Sequence, residues 1–250
     1  MNKTSIFRKV LTGLSLLAFS TQLSFGQQSD VRGRLFETTT TMNSAALAIG
    51  SDATAGIGGI SAANSKFNGT AVSTTTAINS AALAIGGNAS ARLGGIEMKA
   101  GSDVSGTLTA TSAVANSAAL AIGSGANANI GGISVAGSQF SGTATSTATV
   151  ANSAALAIGG DASARIGGIV IKNGANVGGT LSDTTTVANS AAIAIGGGAD
   201  ASIGGILVSR SFHGTATSTT TASNTVALSI GGAGWLNWFV PAHVGGIIIK

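Results

Sequence analysis

The chain has 250 residues, no cysteine, one proline, 38 glycines, 8% charged and 4% aromatic residues, and a formal charge of +4. Without cysteine, disulfides, thiolate metal sites and covalently attached c-type haem are excluded, so stability has to come from packing and backbone pairing. The abundance of Ala, Ser, Thr and Gly suits a narrow, regularly layered core, not the large-aliphatic core of a globular enzyme.

Residues 1–26 read as a secretory signal. Lys3, Arg8 and Lys9 form a basic head, Val10 to Phe19 a short, mostly apolar run, and Ser24-Phe25-Gly26 a small-residue cleavage site. Removing them takes three of the twelve basic residues and no acidic ones, leaving nine against eight and a charge of +1. The basic balance of the full chain therefore does not imply nucleic acid as a partner. No second apolar run long enough to span a bilayer follows.

After a short lead, 27–32, the chain is a tandem repeat. Asn43, Asn79, Asn116, Asn152, Asn189 and Asn224 stand in the phrase NSAALAIG or a close variant, 36, 37, 36, 37 and 35 residues apart. A period in that range marks units that cannot bury their apolar face alone and are completed by their neighbours. Counting from the glycines at 33, 69, 106, 142, 179 and 214 divides the chain into units 33–68, 69–105, 106–141, 142–178, 179–213 and 214–250. Within each unit, glycine to asparagine is ten residues, and asparagine to the first residue of the I/L/V-G-G-I motif is fourteen in all but the last. The length variation falls in the segment before the next glycine, as in a tolerant turn.

Each unit opens with the period-two signature of a strand. In the third, Thr107, Thr109 and Thr111 lie on one parity and Leu108, Val114, Asn116, Ala118, Leu120 and Ile122 on the other, which is read as inward. A turn is expected at Gly-x-x-Ala, where Gly, Asn and Asp supply positive φ. A second strand, A-x-A-x-I-G-G-I, changes phase across its Gly-Gly pair, which suggests a bulge that re-aims the side chains. The fold class expected is all-β, a solenoid of six stacked strand-turn-strand rungs at ~4.8 Å spacing. On this reading the six asparagines form an inward ladder, each amide bonding to the ones above and below.

Odd and even units differ. Two residues before the glycine, the column reads Phe67, Val104, Phe140, Val177, Phe212, an alternation of aromatic and smaller residues. Arg92 and Arg165 precede the Gly-Gly motif of even units where Gly56, Asn129 and Ser202 stand in odd ones, and Lys99, Lys172 and Lys250 recur only in even units. The alternation keeps like charges from facing one another at strand spacing, or else builds a basic edge that reads an acidic partner. The last unit carries six extra residues in GGAGWLNWFVPAH, which holds Trp235, Trp238 and Phe239. Terminal repeats cover an open core end, so these aromatics are expected to form a cap, with contact to a glycan, lipid or nucleating partner as the alternative.

No catalytic, metal-binding or cofactor-binding motif is present, and an enzyme is not expected. The organisation resembles bacterial functional amyloids typified by curli subunits: a signal, then strand-turn-strand units with small polar residues and a repeated Asn. NSAALAIG at Asn79 and Asn152 also resembles the Asn-Ser-x-Ala-x-Gly units of trimeric autotransporter heads. Curli repeats are shorter and carry Gln and Ser at fixed positions, and the autotransporters end in a membrane barrel. The resemblance implies a secreted protein at the outer surface of a Gram-negative-type bacterium, with self-association into fibres, adhesion or biofilm matrix as its role.

Two other functions are open to the same sequence. Thr70, Thr107, Thr143, Thr180 and Thr215 form one column, and Thr74, Thr111, Thr147, Thr184 and Thr219 another on the same parity, which stacked would make a flat outward Thr array able to bind ice. A monomeric adhesin using the aromatic cap is the third reading.

Overall fold

The computed structural model describes residues 23–25, 30–62, 66–172, 176–209, 211–231 and 242–249. Among the described residues there is no helix, and every strand pairing is parallel, with the chain one repeat away. The protein is a β-solenoid.

Each coil starts with a long strand: Asp30–Met42, Lys66–Ile78, Asn176–Ala188 and Phe212–Ser223 are such strands, and Ile96–Ala115 and Ile133–Ala151 include the preceding segment as well. Their glycines at 33, 69, 106, 142, 179 and 214 are in register, so like residues lie on like. A six-stranded sheet of Ala45–Ile49, Ala81–Ile85, Ala118–Ile122, Ala154–Ile158, Ala191–Ile195 and Val226–Ile230 follows. A second six-stranded sheet runs from Thr54–Ile57 to Ala242–Val244. Beyond the Gly-Gly pair the chain forms strands such as Ile60–Ala62, Ile169–Lys172 and Ile247–Ile249, which join the first sheet. Leu23–Phe25, inside the segment read as a signal, pairs with Ile60–Ala62.

The long strand alternates as its sequence predicts: Leu108, Ala110, Ser112 and Val114 are buried and Thr107, Thr109 and Thr111 face outward. The phase then changes at the corner. All six asparagines adopt the left-handed conformation, with φ between 49° and 52°. Asparagine is the non-glycine residue that enters this region most readily. One such residue shifts the alternation, so Val114 and Ser117 are both buried while Asn116 between them is exposed. The expected inward placement of the asparagines is therefore corrected: Asn43, Asn79, Asn116, Asn152, Asn189 and Asn224 are all exposed. So is the continuation of the parity. Ala119 and Ala121 point into the core, at 1% and 0% exposure, and Ala118, Leu120 and Ile122 point out.

The turn after this strand falls where expected, but not through positive φ: Gly50, Gly86, Gly123 and Gly159 have none, and Gly196, at 157°, is close to extended. Positive φ is instead needed at the Gly-Gly pairs, for example 71° and 82° at Gly94 and Gly95. Space also requires glycine there: a Cβ on Gly94 would lie 2.8 Å from Thr75 Cβ and 2.9 Å from Ser112 Oγ. The pair is a bend that dips onto the middle of the long strand, and it divides the interior in two. One compartment holds Val114, Ala119, Ala121, Ala128 and Ile130; the other holds Ile96, Met98, Val104, Leu108 and Phe140. Complete burial of a Leu, Ile or Phe side chain contributes roughly 1.5–3 kcal/mol.

The aromatic alternation is a packing device of the second compartment. Phe67 and Phe140 are 2% and 1% exposed and Phe212, in the last coil, is half-buried. Where a coil has Phe, the inward residue four further on is Ala (Ala71, Ala144, Ala216); where it has Val104 or Val177, that residue is Leu108 or Leu181. Large and small exchange places from coil to coil, which keeps the layer volume nearly constant.

Candidate interaction surfaces

The outer face of the long strands carries threonine in columns. Thr70, Thr107, Thr143, Thr180 and Thr215 are partly or fully exposed, as are Thr74, Thr111, Thr147, Thr184 and Thr219, with Thr38 extending the second column to the first coil. Thr109, Thr145 and Thr217 fill the column between them. Arg34, Phe36 and Val72 interrupt the array at its N-terminal end, where Phe36 is 57% exposed. Strand geometry sets the hydroxyls roughly 4.8 Å apart between coils and about 6.6 Å apart along a strand.

The outer face of the five-residue strands has the opposite character. Its three columns read Ala45, Ala81, Ala118, Ala154, Ala191, Val226; Leu47, Leu83, Leu120, Leu156, Ile193, Leu228; and Ile49, Ile85, Ile122, Ile158, Ile195, Ile230. Every one is half-buried or exposed. Sequence reasoning missed this surface, because it depends on the phase shift at the asparagine.

Between these two faces lies an open groove lined by the corner Asn, Ser and Ala residues. Asn79 Nδ2 donates to Asn43 Oδ1 at 3.2 Å, Asn152 Nδ2 to Asn116 Oδ1 at 3.1 Å, and Asn224 Nδ2 to Asn189 Oδ1 at 3.2 Å. The serine after each of the first five asparagines is buried and serves the backbone. Ser117 Oγ accepts the Ser80 N–H at 3.0 Å and donates to the Ala115 carbonyl at 2.7 Å, and Ser153 and Ser190 repeat the pattern. The corner is thus closed without an unpaired buried amide at these positions. The Asn-Ser pair of the first five units is the sequence signal for this corner.

The arginine column is not a surface feature. Ala91 and Leu93 face one compartment and Ile96 and Met98 the other, so Arg92 and Glu97 point into the outer crease of the Gly-Gly bend. There they bury each other: Arg92 is 1% and Glu97 6% exposed, and Arg92 Nη1 lies 3.0 Å from Glu97 Oε2. In the next even coil Val170 occupies the place of Glu97, so Arg165 turns to Ser134 Oγ at 3.2 Å and to Asp200 Oδ2 at 3.8 Å, an oxygen that Lys172 Nζ also approaches to 3.3 Å. Burial pushes both guanidinium groups down from their ordinary values, opposed by the carboxylates of Glu97 and Asp200 respectively. The basic-edge expectation is corrected for Arg92 and Arg165, which are buried; the alternation of Gly56, Arg92, Asn129, Arg165 and Ser202 sets the two cations two coils apart and gives each a smaller neighbour above and below inside a narrow crease.

A further buried acid, Asp183, lies on the inward face of its long strand at 1% exposure. It accepts the Gly205 N–H at 2.9 Å and the Thr185 hydroxyl at 3.0 Å. Burial raises its pKa, and the Gly205 N–H and Thr185 hydroxyl act against that rise.

Among the described residues, no further coil stacks on the last one. Val244, Ile247 and Ile249 continue the inward columns of Ile203, Ile206 and Val208, which are 0%, 1% and 0% exposed, yet are themselves 47%, 44% and 51% exposed. Trp235, Trp238 and Phe239, the expected cap, lie outside the described residues. Among the described residues no group of three His, Cys, Asp or Glu is placed to hold a metal ion. Compared with known proteins, the chain matches no protein-family model, no curated protein and no solved structure.

Proposed function

We propose that the chain is a secreted structural protein whose solenoids stack end to end into extracellular fibres, serving a bacterial biofilm matrix or attachment to surfaces. The exposed apolar side chains of the last coil carry this reading. The residues of the last coil that continue the inward columns, Val244, Ile247 and Ile249, are about half exposed, and among the described residues the strands they belong to are the last of their sheets. A second copy continuing the same register would bury those side chains and pair with those strands, as each coil does for the next. Low charge and a single proline place little in the way of edge pairing.

The test is assembly of the chain from residue 27 onward. Filaments under the electron microscope, with a ~4.8 Å reflection along the fibre axis from strands lying across it, are the expected result. Protein that stays monomeric at high concentration, without filaments, overturns the reading.

A second reading rests on a different observation, the exposed threonine columns. Regular columns of exposed threonine hydroxyls on the outer face of one sheet support ice binding by a soluble monomer. Thermal hysteresis and faceted ice growth in the presence of monomeric protein would favour it over the fibre, and their absence removes it.

A further inference from the structure

The five-residue strands are built inside out. Ala82 and Ala84 are inward, 1% and 0% exposed, while the bulkier Leu83 and Ile85 on the same strand face outward. On the first strand of the sheet the outward residues are exposed to 64% at Leu47 and 73% at Ile49. A strand that had only to fold would place its Leu and Ile in the core and polar residues outside, as the threonine face of the same protein does. Here all three outward columns are apolar over all six strands, with no charge or hydroxyl among them.

We propose that this face packs against the same face of a second copy, joining two filaments side by side. The proposal rests on the end-to-end assembly above. Its chemistry favours the same chain as partner. In-register Leu and Ile columns about 6.6 Å apart leave grooves of matching period, so two such faces can interdigitate as dry sheets packed ~10 Å apart. Nothing on the face would be buried as an unpaired polar group or charge.

Area explains why side-by-side pairing follows stacking. Five residues along the strand and six strands across give roughly 17 Å by 29 Å, about 490 Å², on ordinary strand spacings. A stable protein interface takes about 800 Å² from each partner. One subunit falls short of that and two stacked subunits exceed it. Single solenoids are thus expected to remain unpaired through this face, and filaments to pair along it.

Mass per unit length of filaments, measured by scanning transmission electron microscopy, tests this. The expected value for the parent is two subunits for each ~29 Å of axial rise. Leu120→Lys/Leu156→Lys should halve that to one subunit while filaments still form, and Leu120→Thr/Leu156→Thr, which copies the other outward face, should lower it in the same direction. Thr109→Lys/Thr145→Lys, charges of the same kind on the threonine face, should leave it at two. Parent filaments with one subunit per rise, or a leucine variant that keeps two, overturn the pairing while leaving end-to-end assembly intact. A threonine-face variant that falls to one assigns the contact to the other face and also overturns it. Absence of any filament from the parent removes the end-to-end reading and this proposal with it. If single parent filaments instead bind neutral phosphatidylcholine vesicles and the leucine variants do not, the face is a lipid surface and the proposal is wrong.

Discussion

Arg92 Nη1 and Glu97 Oε2 stand 3.0 Å apart across the Gly94-Gly95 bend, with both side chains almost entirely out of solvent. A buried ion pair contributes little net stability, yet removal of one partner strands the other as an uncompensated charge. Arg92→Ala or Glu97→Gln alone is expected to destabilise the solenoid by about 3–5 kcal/mol. The next coil supplies a neutral solution for the same crease, since Asn129 and Ser134 align with Arg92 and Glu97. Arg92→Asn/Glu97→Ser should therefore recover most of the loss. Urea unfolding followed by circular dichroism checks this, and a double variant no more stable than the single ones would contradict it.

The corner asparagines make a separable prediction. Asn79 has φ 50° and bonds to Asn43 through its side chain. Asn79→Gly loses the bond but enters the left-handed region freely. Asn79→Ala loses the bond and also carries the steric cost of that conformation, roughly 1–2 kcal/mol. The expected order of stability is Asn, then Gly, then Ala. Equal losses for Gly and Ala would assign the corner's stability to the Asn79–Asn43 bond alone.

These two sites mark where the sequence was readable and where it was not. Period-two alternation needs only that a strand have one wet and one dry face, so Leu108 and Val114 inward and Thr107 and Thr111 outward could be read directly. That rule holds only while the backbone stays extended. A single left-handed residue at Asn116 advances the phase, and every assignment after it, from Ala118 to Ile122, came out reversed. Arg92 was misplaced for a related reason. Its alternation with Asn129 and Gly56 was visible, but whether an outward column faces water or a closed crease depends on the direction of the Gly-Gly bend, which local pattern does not encode. The apolar outer face of the five-residue strands lies beyond that phase change, so an alternation carried through Asn116 does not show it.

Asp183 gives the fold a pH dependence with a definite sign. Its folded-state pKa is raised by burial, so the folded chain holds the proton more tightly than the unfolded one. The group's contribution is then most favourable below the ordinary aspartate range and declines as pH rises from there through the folded value. Asp183→Asn retains an acceptor for the Gly205 N–H and never ionises. Its melting temperature is expected to exceed the parent's at neutral pH by a few degrees, about 2–4 °C per kcal/mol for a chain of this size. The two should converge as pH is lowered. A parent that loses stability relative to the variant on acidification would show the opposite sign and refute the assignment.

The exchange of volume between columns can be tested by moving one coil's solution into another. Phe140 lies between Val104 and Val177, and Ala144 between Leu108 and Leu181, all in one compartment. Phe140→Val leaves a void beneath neighbours that are held by strand pairing and cannot collapse into it, a loss on the order of 1–3 kcal/mol. Ala144→Leu forces extra methylenes into a filled layer and costs about 1–3 kcal/mol. Together they reproduce the Val-Leu pairing of the coils on either side, so the double variant should lie within about 1.5 kcal/mol of the parent, as volume-conserving core changes usually do. The favourable coupling, read from a double-mutant cycle of unfolding free energies, is the signature of a shared space. Strict additivity of the two losses would mean that the columns alternate independently and that the layer does not conserve its volume.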